Sequence, residues 1–598
     1  PLFDFDVYED VGISERYMPY YRDDDQYQTV ANLNWIKGSH NLRFGTDIYF
    51  QGLNHTQPEL SGTYYTARGG FQFRSNPTLV RGGPPGNNFN SWAAFLLGLP
   101  NEFGRLLEVD APYSTRMRSY SIYARDQWQV ASKLTVSYGA RWEYFPTPTR
   151  ANRGLERYNP RTNMMEIGGV GSVPKDLGVK IEKGLIAPRL GVTYRVTPSM
   201  VLRGGFGITN DPYSLARPMR TNHPVLINLV VPAAHSWAWA GRVTDGIPAI
   251  PEPSLGNGII PIAGNITAFT LPDEFNRGYI KSWNVAIQKE LKWGFVGEAA
   301  YVGTRQIDQL GFRELNWSPI GGGAAGRQLA SRFGRTAQTR VVAPIGDSKY
   351  DALQTRLDRR FADGFQLGVS YTWSKSIGIE GAPNSDGTAA IQIPEYYHLN
   401  RALSPFDRTH NLQISNIAEL PFGPGRRWLN GRGVLAAIVG GWQVNNILSF
   451  YSGTPFNVTW SGTSLNAPES SQRADQVVST VKILGGIGRG NPYFDPLAFK
   501  PVTEARFGTA PWRVLRGPGV ANWDLGVFRE FVLPRDMNVQ LRVEAFNVLN
   551  KQHFGNPGGT VSNLRLNPDG TIRDLNGFAE ILSASNERQV RIGMRLGW

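Results

Sequence analysis

The sequence predicts an all-β fold: a transmembrane antiparallel β-barrel with long loops at one end and short turns at the other. Three observations carry that expectation. Apolar and polar residues alternate strictly over unusually long segments, short and long links alternate between those segments, and the last residues form an alternating strand that ends on an aromatic.

The alternation is clearest in LTVSYGARWEY. Leu134, Val136, Tyr138, Ala140, Trp142 and Tyr144 share one face, and Thr135, Ser137, Gly139, Arg141 and Glu143 share the other, as a two-residue period requires. FQLGVSYTWS repeats the pattern, with Phe365, Leu367, Val369, Tyr371 and Trp373 opposed to Gln366, Gly368, Ser370, Thr372 and Ser374. So does NVQLRVEA, with Val539, Leu541, Val543 and Ala545 on its apolar face. Such segments run well past the roughly five to six residues of an ordinary strand and match the roughly nine to eleven needed to cross a bilayer at a tilt. Pairs such as Trp142 with Tyr144 and Tyr371 with Trp373 fall toward strand ends, where interfacial girdles lie.

Taken in chain order, about sixteen candidate strands fall at 3–13, 23–36, 41–52, 118–130, 133–145, 188–197, 200–210, 280–291, 295–305, 349–361, 365–376, 408–420, 440–452, 521–533, 537–549 and 588–598. The short links include 37–40, 131–132, 198–199, 292–294, 362–364 and 534–536, with 421–439 of middling length. The long ones cover 53–117, 146–187, 211–279, 306–348, 377–407, 453–520 and 550–587. A soluble sandwich has no reason to gather every long loop at one end, whereas an outer-membrane barrel does. The stretch 62–75 is a further candidate hairpin outside the membrane. In the last strand Val590, Ile592, Met594, Leu596 and Trp598 alternate with Arg591, Gly593, Arg595 and Gly597. The first set is expected to face lipid and the second the lumen. Trp598 takes the place of an insertion signal read by the barrel assembly machinery.

Composition narrows the function classes. Lys and Arg number 62 against 49 Asp and Glu, a net +13, but the basic residues are scattered, so dispersed solvated charge is expected rather than a nucleic-acid partner. With no cysteine there is no disulfide scaffold, thiolate metal site or Cys nucleophile. The seven histidines show no metal-ligand spacing; no metal and no cofactor are expected. No run of about 18 apolar residues marks a transmembrane helix. A mean hydropathy of −0.31 fits a barrel, whose lumen face and loops dilute the lipid-facing stripe. Neither a signal peptide nor an initial Met is present, so the sequence reads as the C-terminal part of a longer chain. No Gly-x-Ser-x-Gly elbow is found, and the expectation is a protein that is not an enzyme. GGAAGR at 322–327 and GGIGRG at 485–490 lack the strand-to-helix context and the Lys of a phosphate loop. A propeller or sandwich array would show repeats of about 40–50 residues, and none is visible.

Candidate sites follow from the parity. Arg141, Glu143, Arg542, Glu544, Arg591 and Arg595 fall on the lumen face, where charged side chains can line a solute path or brace a plug; a wall of mutually paired, water-facing charges is the plainer reading. Trp237, Trp239, Tyr396, Tyr397, Tyr493 and Phe494 lie in the long loops. Rings there can stack on sugars or clasp an apolar ligand at low entropy cost, or simply pack the loops together. Asp569 and Asp574 in NPDGTIRDLNG lack the order of a calcium loop and predict Asx-type turns.

The stretch NWDLGVFREFVLPRDMNVQLRVEAFNVLNKQHFGNP, 522–557, resembles the C-terminal signature of TonB-dependent receptors, specifically the Oar-like group that carries a carboxypeptidase-regulatory-like domain. SIYARDQWQVASKLTVSYGARWEY (121–144), APRLGVTYRVTPSMVLRGGFGI (187–208), SPFDRTHNLQISNIAELPFG (404–423), GGWQVNNILSFYSGTPFNV (440–458) and FNSWAAFLLGLP (89–100) extend the resemblance in the same order along nearly the whole chain. It implies an outer-membrane barrel of about twenty-two strands, a plug inside it and a TonB box ahead of the plug. With about sixteen strands and neither plug nor box in the sequence, the first strands, plug and regulatory-like domain are expected upstream. The implied partners are outer-membrane lipid, TonB through that upstream part and an extracellular solute: a siderophore, oligosaccharide or peptide. The loops are then extracellular and the C-terminus periplasmic. Surface adhesion, assistance to protein export, or a passive pore without a plug is the alternative.

Overall fold

The computed structural model describes residues 2–5, 10–12, 20–56, 69–80, 88–109, 113–212, 219, 222–235, 237–379, 388–431, 433–532, 534 and 537–597; Trp598 lies outside them. Fifteen long strands pair in chain order into one continuous antiparallel sheet. They are β1 Tyr21–Lys37, β2 His40–Thr56, β3 Tyr113–Ala131, β4 Leu134–Tyr144 and β5 Leu185–Thr197; β6 Met200–Asn210, β7 Tyr279–Glu290, β8 Phe295–Glu314, β9 Thr339–Ala362 and β10 Phe365–Ile379; and β11 His410–Glu419, β12 Trp442–Tyr451, β13 Val520–Val532, β14 Asn538–Phe546 and β15 Gln589–Gly597. Among the described residues the pairing runs from β1 to β15, and no pair joins the outer edges of these two strands.

Register carries the sequence alternation across the wall. Ile122 stands opposite Trp142, Trp142 opposite Ile186, Tyr138 opposite Leu190 and Leu190 opposite Phe206. Farther on, Val285 faces Tyr301 and Tyr301 faces Leu353. One face is therefore a continuous band of large apolar side chains that none of the described residues covers: Leu33 is 64% exposed, Val285 62% and Ile592 82%. A band this extensive is incompatible with water and matches lipid. The opposite face holds Gly, Ser and Asn with charged residues such as Arg43, Asp47, Arg125, Arg141 and Glu143.

The hydrophobic core lies in the loops and the loop-side strand ends rather than inside the barrel. Phe456, Phe494, Phe499 and Phe578 form one cluster and Phe275, Leu310, Phe312 and Val342 another. A wall bathed by lipid on one face and water on the other has no interior to fill. The loops are too long to stay in solution as chain and so bury their own apolar residues.

Two elements differ from the sequence expectation. The described residues of the first candidate strand, 3–13, are not part of the barrel wall, and the rest of it lies outside the described residues. Leu2–Phe5 instead pairs in parallel with Gly70–Phe73 and antiparallel with Val11–Gly12, inside a five-stranded sheet that also takes Glu102–Glu108 and Leu226–Pro232. Leu2, Asp4 and Phe5 are all buried, so these described residues are covered on both faces, as wall strands are not. Phe5 packs on Phe73 with ring centroids 5.8 Å apart. Of the candidate hairpin 62–75, residues 62–68 lie outside the described residues, and Gly70–Phe73 contributes a strand to this sheet.

The second difference is length. β8 and β9 run 20 and 24 residues, far beyond a crossing. Their register shifts between Gln306 and Gln309 and again between Gln309 and Leu310, and Gly346 opposite Gln309 sits at φ 144°. A bulge re-aims side chains, and beyond it Leu310, Phe312 and Val342 are buried in the loop core.

Candidate binding face of the barrel interior

The polar face of β2 to β8 forms an open groove of about 770 Å³. Its floor is set by small residues, among them Ser137, Gly139, Ala187, Gly191, Gly205, Gly207 and Ser282. Gly139 has to be glycine: an added Cβ would lie 2.5 Å from the Ala124 carbonyl oxygen and 2.7 Å from the Arg125 Cβ. Gly45 makes similar room for the Tyr123 ring, whose Cε1 would stand 2.5 Å from its Cβ.

Arginines rise from this floor. Arg43 on β2 stands directly opposite Arg125 on β3; Arg125 is opposite Gly139, which is opposite Arg189 on β5. The three guanidiniums therefore share one row across adjoining strands, on the same face as Arg141. Among the described residues none of Arg43, Arg125 and Arg189 has a carboxylate within ion-pair distance. Like charges directly opposite destabilise a strand pair, so the sheet holds this row against a local cost. An anion bridging two guanidiniums would reverse it, because Arg presents a fork that fits carboxylate or phosphate.

The lumen-facing candidates separate into two groups. Arg141 donates to Glu143 at 3.1 Å and to Asp47 at 3.3 Å. Gln28 and Asn210 complete that network, donating to Asp47 at 3.0 Å and to Glu143 at 2.9 Å. Arg542, Glu544, Arg591 and Arg595 lie on β14 and β15, toward the other edge of the sheet. Glu544 is the register partner of Arg591 and Gln540 that of Arg595. Arg542 donates to Gln540 at 2.6 Å and Arg591 lies over the Phe546 ring at 5.0 Å. The unpaired row was missed in the sequence. The parity of Arg43, Arg125 and Arg189 was readable, but their alignment depends on register, which alternation alone does not set.

The loop aromatics divide by burial. Phe494 is fully buried, with the rings of Phe456, Phe499 and Phe578 at 5.9, 5.8 and 5.4 Å; Tyr493 packs against the same cluster. Tyr397 is buried under the Arg313 guanidinium at 4.5 Å. Tyr396 packs on Phe507 at 5.0 Å but keeps a third of its surface open, and Trp237 and Trp239 are exposed. Asp569 accepts the Thr571 amide at 3.0 Å and Asp574 the Asn576 amide at 2.9 Å, the Asx turns that the spacing predicts.

Two buried carboxylates organise the loops. Glu156 is held by Arg150 at 2.7 Å and by Arg153. Burial alone would raise its carboxyl, but the charges of the two arginines together outweigh that and hold it below the usual range. Glu314 accepts the Asn316 and Thr339 amides, both at 2.8 Å. Among the described residues no cation stands at that distance, and burial pushes its carboxyl up to about 7.

A sheet with an apolar outer band, a charged inner face and loop cores at one end defines a membrane-spanning β-barrel. The model of the outer membrane beta barrel domain matches residues 1–591; the chain belongs to that family and is a protein of the outer membrane. No curated protein matches the sequence. Among solved structures, the outer membrane transporter YddB from Escherichia coli is similar over 96% of this chain and 54% of its own, at 10% identity and a TM-score of 0.49. The ferric citrate transporter FecA in the unliganded form is similar over 97% and 55%, at 11% identity and a TM-score of 0.42. The siderophore receptor PiuA from Acinetobacter baumannii is similar over 96% and 56%, at 10% identity and a TM-score of 0.42. The chain thus spans about half the length of these proteins.

Proposed function

We propose that the chain is the barrel part of a TonB-dependent receptor of the Oar-like group. It takes up a scarce, bulky solute bearing anionic groups, whether siderophore, oligosaccharide or peptide, at extracellular loops and passes it along the interior wall with energy delivered through TonB. The row of Arg43, Arg125 and Arg189 without carboxylate partners carries this reading, because its local cost is offset only when an anion enters the groove. The motifs from 89 to 557 support the receptor class. Plug and TonB box belong, on this reading, to sequence upstream of the chain, and Trp598 serves insertion. Arg141 with Glu143, and Arg542 and Glu544 with Arg591 and Arg595, brace the plug or line the path; Trp237, Trp239 and Tyr396 are the open rings for solute contact.

The test is recovery of the upstream coding sequence and reconstitution of the full-length protein in liposomes. A TonB C-terminal domain is expected to bind only when the box is present. Arg43→Gln with Arg125→Gln is expected to weaken binding of anionic solutes about tenfold, as the loss of a charge-assisted hydrogen bond does, and to leave neutral solutes unaffected. A full-length protein that ignores TonB and leaks ions freely would replace this reading with a passive pore.

The loop cores favour a second reading. Folded modules with their own buried phenylalanines present a fixed outer surface, which suits adhesion or assistance to export. Deleting the TonB box would leave such a role intact.

A further inference from the structure

Toward the loop side, the apolar outer face of four consecutive strands carries a row of basic side chains. Lys281 on β7 shares the face of Trp283 and Val285, Arg305 on β8 that of Tyr301, Lys349 on β9 that of Leu353, and Lys375 on β10 that of Trp373, by the two-residue period. Register aligns them. Lys281 is opposite Arg305, Arg305 opposite Lys349, and Lys375 opposite Asp351, one step from Lys349 on the same face. Four consecutive strands about 4.8 Å apart thus carry a basic stripe roughly 15 Å long.

Its height is set by the short turns below it. About a dozen residues separate each basic group from the turns at Lys292–Gly294 and between β9 and β10. At about 3.3 Å per residue and a tilt of about 40° that is roughly 30 Å, just past an apolar band about 25 Å tall. The aromatic rings immediately below agree with that level. The Trp283 ring covers Gly303, where an added Cβ would come within 2.4 Å of it, and Arg305 lies over that ring at 5.0 Å.

One carboxylate enters the line. Asp351 is engaged by Arg305 at 2.9 and 3.0 Å and by the Tyr301 hydroxyl at 2.7 Å. Among the described residues Lys281, Lys349 and Lys375 have no carboxylate within ion-pair distance. Asp308 and Asp347 stand beyond the stripe toward the loops, where Asp347 accepts the Asp308 amide at 3.0 Å. With four cations and one carboxylate, the stripe presents a net positive charge at the depth where lipid phosphates lie.

We propose that Lys281, Arg305, Lys349 and Lys375 bind the phosphate groups of lipid headgroups in the leaflet on the loop side, fixing a specific anionic lipid against β7 to β10. Arg305 is pre-oriented by Asp351 and Trp283, and the three lysines supply the net charge that a phosphorylated headgroup neutralises. The proposal rests on the membrane-facing assignment of this wall and not on the uptake reading.

The test is the spectrum of spin-labelled lipids in vesicles containing the chain, comparing a phosphatidylglycerol probe with a phosphatidylcholine probe. The native protein is expected to retain the anionic probe at least threefold over the zwitterionic one, with the preference falling as salt is raised. Lys281→Gln with Lys349→Gln and Lys375→Gln is expected to bring the ratio close to one. Lys375→Gln alone gives an intermediate ratio, and Lys37→Gln, near the short-turn end, leaves it unchanged. Equal ratios for the native and triple-substituted proteins would overturn the proposal. So would competition by millimolar inorganic phosphate, which would identify a site for a free anion, or a preference of equal size in the Lys37→Gln and Lys375→Gln proteins, which would reduce it to general charge.

Discussion

Glu314 shows how a single side chain makes a loop answer to pH. Its carboxyl sits at about 7 against an ordinary 4.5, chiefly because burial penalises the charged form. The folded loop therefore holds the proton that the unfolded chain has already released above 4.5, and stability falls as pH rises from there to about 7, then levels off. The displacement is worth roughly 3 kcal/mol. Protection of the Asn316 and Thr339 amides, corrected for intrinsic exchange, is expected to be higher at pH 5 than at pH 8, and Glu314→Gln is expected to remove the difference. Unchanged protection across that range would sink the assignment. Glu156 behaves oppositely, since its arginines hold it charged. Glu156→Gln removes the buried carboxylate that Arg150 and Arg153 share and is expected to cost about 3–5 kcal/mol, read as early loss of protection over 150–159. Neither residue was legible in the sequence, because burial of a polar group far along a loop follows from tertiary packing and leaves no local pattern.

At the scale of elements, what could be read depends on period. Every wall strand from β1 to β15 follows from alternation, because one uncovered apolar face imposes period two on the residues themselves. The loop sheet that takes Leu2–Phe5 carries no such imprint: its strands are short, covered on both faces and joined across more than two hundred positions, from Leu2 to Pro232. The loop aromatics were visible as residues and not as a core. Phe494 joins three other phenylalanines from 453–519 and 550–588 into one module, so Phe494→Ala is expected to remove about 3–5 kcal/mol from it. The module stands outside the wall, and the loss should therefore be local. Limited proteolysis is expected to cut within 453–519 while the strands stay intact, and cleavage spread equally into β12 or β13 would show that loop and wall unfold together.

For the whole molecule, the decisive arrangement is that two faces of one sheet meet different solvents. That makes adjacent residues respond oppositely to the same substitution, which no soluble sheet of uniform surroundings would do. Ile414 and Ser415 are neighbours on β11: Ile414 lies opposite Val369 and Leu448 on the apolar face, and Ser415 opposite Gly368 and Ile447 on the inner one. A charge near the bilayer midplane on the lipid side of a barrel costs about 2–4 kcal/mol, while the lumen tolerates it because water reaches it. Ile414→Arg is therefore expected to lower the stability of the vesicle-embedded chain by that amount, and Ser415→Arg to change it by less than about 1 kcal/mol. Equilibrium unfolding in urea from thin-bilayer vesicles measures both. Equal penalties would mean that the two faces share one environment, and the membrane-facing assignment of the wall would fall, together with the lipid site on β7 to β10 that depends on it.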